Sequence, residues 1–483
     1  MSTRSSLFFS FLDRYASLAV AVVSSMFIAR LLTPAEIGVF SVTMVLLIFV
    51  NTVRDMGAGQ YLVQEKELTA DRIRAVWTVQ LGIGLGLAFL VLMASYPVAA
   101  FYEEPRMRDI MLVVALNYAI NPFGALTNAW LVREMRFDGV ALMRFLSTLS
   151  GALVSIWLAW QAYGPISLAW GALTATAVNA CVAVFYRPKS FPWLPGLREF
   201  KRVFAFGSQL TAGSIANVIS NSAPELLLGK LQGLAAVGFF SRSMGLVQMV
   251  NRLFVDAVAG VCLPWFASQL RETGGMSESF LKATAYVTAL GWSFCLATIC
   301  LAHPMIRVLY GSQWDPAVDL TRLLAVAGLF SLPASLCQTA LLSSGAVTTI
   351  RRVAIASMLQ KMAFVAVGAS QGLMHLAVAL VASAAVGSYM WLRATSRLTA
   401  LPLRALWRTF RCSTLVALMS AIGPACALLV YGPYPSASLV PLSLGVAGSV
   451  VGFLVGVLAF RHPFGEEIRV ALARLKRFGS GRN

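Results

Sequence analysis

The chain has 483 residues, of which 58% are hydrophobic and only 12% charged, with a formal net charge of +18. Soluble chains of this length carry roughly a quarter of their residues as charges, so a soluble enzyme, a secreted disulfide scaffold and a disordered chain are excluded. The apolar residues come in runs of about 18 to 25, the length needed to cross a hydrocarbon core of roughly 30 Å, and the chain reads as an all-α polytopic membrane protein.

Fourteen transmembrane spans are expected, at 8–29, 37–53, 75–99, 109–131, 139–160, 165–186, 204–228, 235–260, 282–301, 317–343, 353–371, 373–392, 411–431 and 438–460. Asp13 and Arg14 interrupt the first apolar run, which continues to full span length and is not a signal peptide. An even count puts both termini on one side. That side collects about 27 of the 38 Lys and Arg, against about 5 on the other. The asymmetry makes the termini cytoplasmic. It also explains the net charge as membrane orientation, so no nucleic-acid partner is expected. The loop from Arg187 to Arg202 interleaves Phe191, Trp193 and Leu194 with basic residues and is expected at the cytoplasmic interface, as is the tail from Arg461 to Arg482. Outer loops are no longer than about 20 residues, too short to carry the site of an externally acting glycosyltransferase or polymerase.

A repeat appears at an offset of 200. Ala35-Glu36-Ile37-Gly38-Val39-Phe40-Ser41 aligns with Ala235-Ala236-Val237-Gly238-Phe239-Phe240-Ser241, and the register extends to Met44 with Met244 and Asn51 with Asn251. The offset covers six spans, so both copies cross in the same direction. This predicts two parallel six-helix lobes around a central cavity plus two C-terminal helices. The first lobe is 1–186 (spans 1–6), followed by an interfacial linker at 187–203. The second lobe is 204–395 (spans 7–12), followed by spans 13 and 14 at 396–460 and the basic tail at 461–483.

Charges at bilayer depth cost roughly 2.5–3.5 kcal/mol each on insertion scales, so they need a cavity or a partner. Span 1 puts Arg14, Ser17 and Ser25 on one face, and span 7 does the same with Thr211, Ser214, Asn217, Asn221 and Glu225. The repeat maps these two faces onto each other. Span 2 carries Asn51 and Asp55, span 4 Asn117, Asn121 and Asn128, and span 5 Arg144 with Ser147 and Ser155. Span 8 carries Gln248, Arg252 and Asp256, while Arg322 and Lys361 add cations in spans 10 and 11. Serines and amides also glue helices together, and an Arg near a span end, such as Arg242, can snorkel. Deep arginines and abundant amides suit an anionic, hydroxyl-rich substrate, because guanidinium binds phosphate and amides pair with sugar hydroxyls. Negative charge on these faces comes from Glu225, Asp256 and Asp55, too little for a cavity that takes cations; Glu225 and Asp256 are kept as candidates for coupling to a proton or sodium ion.

No catalytic set, metal spacing or cofactor motif is visible. The seven cysteines sit in or beside apolar runs without a CxxC pair, and His303, His375 and His462 are far apart. Gly82, Gly84 and Gly86, and Gly445 through Gly456, lie inside spans and are expected to serve close helix packing.

The segment Ala29-Arg30-Leu31-Leu32-Thr33-Pro34-Ala35-Glu36-Ile37-Gly38 resembles the signature near the start of bacterial polysaccharide-unit (Wzx-type) flippases. These belong to the superfamily that also holds multidrug exporters and the lipid II flippase. Arg133-Glu134-Met135-Arg136-Phe137, Leu228-Gly229-Lys230 with Gly238-Phe239-Phe240-Ser241, and Tyr310-Gly311-Ser312-Gln313-Trp314 continue the likeness in order over residues 5–370. The branch it looks most like serves exopolysaccharides such as colanic acid or succinoglycan. The resemblance implies movement of an undecaprenyl-diphosphate-linked oligosaccharide between leaflets by alternating access, for exopolysaccharide or lipopolysaccharide O-antigen synthesis. It also implies a tail groove formed by the two extra helices, a cationic role for Arg14 and then Arg252, and the pathway's polymerase and glycosyltransferases as further partners. Relatives place an acidic residue just before Leu-Gly-Lys/Arg; here Pro224-Glu225 stands there. The alternatives are a cation-coupled exporter of small molecules, disfavoured by the basic polar faces, a membrane-embedded glycosyltransferase or polymerase, and a silent scaffold.

Overall fold

The computed structural model describes residues 3–54, 58–65, 67–188, 191–192, 194–399, 403–435, 438–467 and 469, apart from the side chains of 3–14, 53, 58, 60, 202, 205–217, 252, 257 and 403. The helices are α1 (Thr3–Leu31), α2 (Pro34–Arg54), α3 (Ala58–Gln64), α4 (Ala70–Tyr102), α5 (Arg106–Arg133), α6 (Phe137–Trp160), α7 (Ile166–Tyr186), α8 (Phe200–Leu231) and α9 (Leu234–Val250). A π-helical turn (Asn251–Val255) joins α9 to α10 (Asp256–Thr273). Then come α11 (Ser277–Leu309), α12 (Ala317–Ser331), α13 (Cys337–Ser343), α14 (Val347–Gln371), α15 (Leu373–Thr399), α16 (Leu403–Tyr431) and α17 (Leu439–Ala459). Each of the fourteen expected spans falls on helix. Among the described residues, twelve stretches are long and apolar enough to cross a membrane. The protein is an all-α polytopic membrane protein.

Local chemistry sets the turns between spans. Thr33 and Glu36 form a capping box at the start of α2: the Thr33 amide donates to Glu36 Oε2 (2.8 Å) and the Glu36 amide to Thr33 Oγ1 (3.3 Å). Pro34 occupies the first helical position, where no intrahelical N–H bond is lost. The Thr69 hydroxyl caps α4 through the Arg72 amide (3.3 Å).

The chain divides into two compact units, Met1–Gly238 and Phe239–Asn483. Within the first, α5 packs on α4 and α7, α6 on α7 and α1, and α8 on α2 and α4. The sequence reading put the boundary in the linker at 187–203, whereas the units divide after Gly238. The physical reason is α8: Gly229 packs against Val42 and Tyr102, and Lys230 Nζ donates to the Phe101 carbonyl (2.6 Å). The linker itself is clasped to α4. The Gly196 amide donates to Thr78 Oγ1 (2.8 Å), Arg198 pairs with Asp71 (3.2 Å), and the Arg187 guanidinium lies 5.3 Å over the Trp77 ring. Phe191 is buried in this clasp, while Leu194 stays exposed; Trp193 lies outside the described residues.

The repeat has a direct structural counterpart inside the first unit. A Cβ on Gly38 would lie 1.7 Å from the Leu234 carbonyl oxygen, and a Cβ on Gly238 would lie 1.9 Å from the Pro34 carbonyl oxygen. Under the offset of 200, Pro34 corresponds to Leu234 and Gly38 to Gly238, so the contact is reciprocal. Each copy's glycine receives the other copy's first turn, as at a two-fold axis.

In the second unit α11 packs against α12, α16 and α17, α12 against α15, and α14 against α15. The α16–α17 pair uses glycine as expected: Gly448 faces Gly423, Gly452 the Met419 carbonyl, and Gly456 Val416. Of Gly82, Gly84 and Gly86 only Gly84 makes a close approach, to the Tyr118 carbonyl and the Pro122 ring, so that reading holds for one of the three. Past α17 the chain turns back and plants His462 in the α11–α16 seam. Phe464 N–H donates to His462 Nδ1 (3.2 Å), leaving Nε2–H to donate to Ser413 Oγ (3.3 Å), which also accepts from Thr288 Oγ1 (2.9 Å). Glu467 beside it accepts from Tyr286 Oη (3.1 Å) and pairs with Lys282 (3.5 Å). Burial holds the His462 imidazole neutral and lowers its pKa from 6.5 to about 4.

Two outcomes follow from this packing. Gly38→Ala or Gly238→Ala forces two backbones apart, and each is expected to destabilise the purified protein by about 1–3 kcal/mol in thermal unfolding. An imidazole with a depressed pKa contributes stability that is complete above its ordinary value of 6.5 and is lost as pH falls towards about 4. Acid should therefore lower the wild-type melting temperature across that window, and His462→Asn should flatten this part of the profile.

Candidate functional site

The expected polar residues are distributed over both units, and each unit is described by itself. In the first, Asn51 on α2 and Asn117, Asn121 and Asn128 on α5 are half-buried. Asn117 Oδ1 is fully enclosed and has no hydrogen-bond partner among the described residues, which marks it as a polar atom available to a ligand or water. Asn221 on α8 and Arg144 on α6 are exposed, and Glu225 is half-buried one turn beyond Asn221. Arg14 lies on α1 and Asn217 on α8, with side chains outside the described residues, as is all of Asp55.

In the second unit Gln248 near the end of α9 and Asp256 at the start of α10 are exposed. Arg252 sits on the π-helical turn between them, its side chain outside the described residues. Periodicity did not reveal this turn; π-turns recur at functional sites because they re-aim side chains within a helix. Lys361 on α14 is half-buried. Arg322, expected as a cation in span 10, pairs with Asp319 (2.8 Å) and lies 5.7 Å over the Tyr434 ring. An acidic residue three positions earlier on the same helix gives it a ready partner.

The motifs that carried the family likeness turn out to be joints. Arg133 Nη1 donates to the carbonyls of Leu62 (2.8 Å) and Glu65, a guanidinium cap on the C-terminal end of α3. Met135 follows in the left-handed region, with φ of 56°. In the second unit Trp314 is fully buried and packs edge-on against Phe239 (5.8 Å), while Arg242 lies 5.7 Å over Tyr310. Arg307 holds Asp315 through two bonds, at 3.0 and 2.6 Å, keeping that carboxyl below its ordinary pKa range. The Phe239-Phe240-Ser241 and Tyr310–Trp314 segments are thus one sealed corner.

An apolar groove of about 470 Å³ opens in the second unit. Its walls include Trp292 and Leu296 of α11, Leu329 and Phe330 of α12, Pro333, Tyr389 and Leu392 of α15, and Phe410, Thr414 and Leu418 of α16. Pro333 shapes it. A proline has no N–H to give to the carbonyl four residues back, and the helix breaks there into a 3₁₀ turn (Leu332–Ala334). The carbonyl released is that of Leu329, and the Trp292 indole N–H donates to it (2.8 Å). The groove therefore has a dry wall at a helix break, with its one freed carbonyl satisfied. Trp292→Phe keeps the ring but strands that carbonyl. It is expected to cost about 1–3 kcal/mol in thermal unfolding, more than Trp→Phe at the exposed Trp407.

Comparisons with known proteins agree with this architecture. The model of the polysaccharide biosynthesis protein family matches residues 27–319. The succinoglycan biosynthesis transport protein ExoT of Rhizobium meliloti is 25% identical over 333 residues, covering 68% of this chain and 66% of ExoT. The lipopolysaccharide biosynthesis protein WzxC of Escherichia coli is 20% identical over 318 residues, covering 65% of this chain and 64% of WzxC. Each match thus spans just under two thirds of the relative. Among solved structures, the lipid II flippase MurJ in an inward closed conformation superposes with a TM-score of 0.76 at 13% identity, covering 95% of this chain and 99% of that one. An inward-facing multidrug-resistance MATE transporter superposes at 0.54 with 13% identity, covering 93% and 96%. At these identities the likeness to solved structures is one of fold. With more than half of its length matched by the family model, the chain belongs to the polysaccharide biosynthesis protein family.

Proposed function

We propose that this protein moves an undecaprenyl-diphosphate-linked oligosaccharide from the cytoplasmic to the periplasmic leaflet of the bacterial inner membrane by alternating access, for exopolysaccharide or lipopolysaccharide synthesis. The observation that carries the reading is the groove of about 470 Å³ between α11, α12, α15 and α16. It is apolar, opens on a membrane protein of the polysaccharide biosynthesis family, and suits one stretch of a long hydrocarbon chain. The names of ExoT, a transport protein, and of WzxC, a lipopolysaccharide biosynthesis protein, support the same direction.

In this reading Arg14, Arg252 and Arg144 meet the diphosphate, with Lys361 adding positive charge. Asn51, Asn117, Asn121, Asn217, Asn221 and Gln248 pair with sugar hydroxyls. Glu225 and Asp256 are assigned to coupling with a proton or sodium gradient. The basic residues cluster on the side of the termini, which makes that side cytoplasmic. Export of small lipophilic cations is the second reading, favoured by the MATE-like fold and opposed by polar faces that are mostly amide and cationic.

A strain lacking the gene is expected to accumulate undecaprenyl-linked saccharide and to lose surface polymer. Restoring it with Ala385→Trp, which fills the groove, should return normal protein levels without restoring polymer. Normal polymer in the deletion strain, together with new sensitivity to cationic drugs, would transfer the assignment to small-molecule export.

A further inference from the structure

From Leu320 to Gly465 the sequence contains no Asp or Glu, yet it holds ten Lys and Arg. Half of these ten stand at one end of the groove. The lining stripe of α15 runs Ala385, Ser388, Tyr389, Leu392, and its next turns bring Arg393 and Arg397. The stripe of α16 runs backwards from Leu418 through Thr414, and its next turns bring Arg411, Arg408 and Arg404. Because α15 ends at Thr399 and α16 begins at Leu403, with only three residues between, both stripes reach their arginines at the same end.

That end is the mouth of the groove on the side of the C-terminal tail. Gly456 packs on Val416 and Gly448 on Gly423, so α17 is antiparallel to α16 and delivers Arg461 back to the α16 start. Arg393, Arg404, Arg408 and Arg411 are all exposed, and none has a carboxylate partner among the described residues. Arg393 Nη1 donates to the Tyr389 hydroxyl (2.5 Å), which ties its guanidinium to a residue of the groove wall. Trp407, 73% exposed, stands one turn from Arg411, the position of an aromatic at a headgroup boundary.

An apolar slot that ends in guanidiniums with no carboxylate partner among the described residues matches an amphiphile with a long chain and a compact, multiply charged anionic head. We propose that Arg393 and Arg411 form a loading station for the diphosphate head of a long-chain lipid whose hydrocarbon lies in the groove, engaged before the substrate meets the deeper cations. The proposal rests on the lipid-linked reading above and adds to it a first binding step at the cytoplasmic surface. Two arginines suit a diphosphate better than a phosphodiester headgroup, because the diphosphate offers more charge and more acceptor oxygens to two planar donor forks. Snorkelling arginines of the general positive-inside kind would show no such preference.

The test uses the full-length protein in nanodiscs of zwitterionic lipid, read by native mass spectrometry. The probes are undecaprenyl diphosphate, undecaprenol and phosphatidylglycerol. The wild type is expected to retain undecaprenyl diphosphate in preference to phosphatidylglycerol. Arg393→Gln with Arg411→Gln should weaken that binding about tenfold or more, as expected for lost charge-assisted bonds, while leaving undecaprenol retention unchanged. The double Lys variant should recover part of the loss. Arg351→Gln with Arg352→Gln, equal in charge and also exposed, should have no effect. Equal diphosphate binding by the Gln pair, or displacement by equimolar phosphatidylglycerol, overturns the station. A wild type that binds no undecaprenyl diphosphate overturns the functional reading as well, so the two failures are distinguishable.

Discussion

A backbone carbonyl in a hydrocarbon-facing protein has no water to fall back on, and its partner must come from the chain itself. The pairing of the Leu329 carbonyl with the Trp292 indole answers this demand at the point where it is sharpest. Without a donor from α11, Pro333 would leave an unsatisfied oxygen beside an apolar groove of the second unit. With it, a span can break, and the break makes room for a groove between α12, α15 and α16. Arg133 meets the same demand at the end of α3, and the Thr33–Glu36 box meets the converse one at the start of α2, where side-chain oxygens accept from backbone amides. The irregular places in this fold are where side chains finish the work of the helices.

Much of the architecture is legible in the residues. Runs of apolar residues of span length mark the long helices because the bilayer leaves a chain few other options, and twelve of the described stretches are long and apolar enough to cross. The repeat at 200 is readable because glycine at 38 and 238 is enforced by contact, not by composition. Other features resist a linear reading. The short α3 is too brief to show a period, and the π-turn at Asn251–Val255 leaves no mark in hydropathy. Arg133 looked like part of a functional signature, yet its role is to hold the end of α3. The groove draws its walls from α11, α12, α15 and α16, so no single segment announces it. Arg322 has a local partner that its span assignment does not bring out: Asp319, three residues earlier, at 2.8 Å.

Charge is sorted more finely than the positive-inside pattern requires. Arginines that serve as joints have partners: Arg307 with Asp315, Arg72 with Glu65, Arg106 with Glu104. The stretch from Leu320 to Gly465 has cations and no carboxylates, and beyond Arg322, which pairs back to Asp319, the arginines at 393–411 have no acidic neighbour in sequence. Where such arginines border an apolar slot, the surroundings favour an anion with a greasy tail. The hydrocarbon contributes non-directional affinity and the guanidiniums contribute orientation.

The reciprocal glycine contact also bears on how this chain arose. A half-length ancestor pairing with its own copy would have met that copy through the same glycine on both sides. One substitution there would have struck the contact twice, so purifying selection on the position would have been doubled. In the present chain the residues around the two glycines differ, with Pro34 in one copy where Leu234 stands in the other. The Leu234 and Pro34 carbonyls still leave no room for a methyl group at either. Steric demand has outlasted the symmetry that created it.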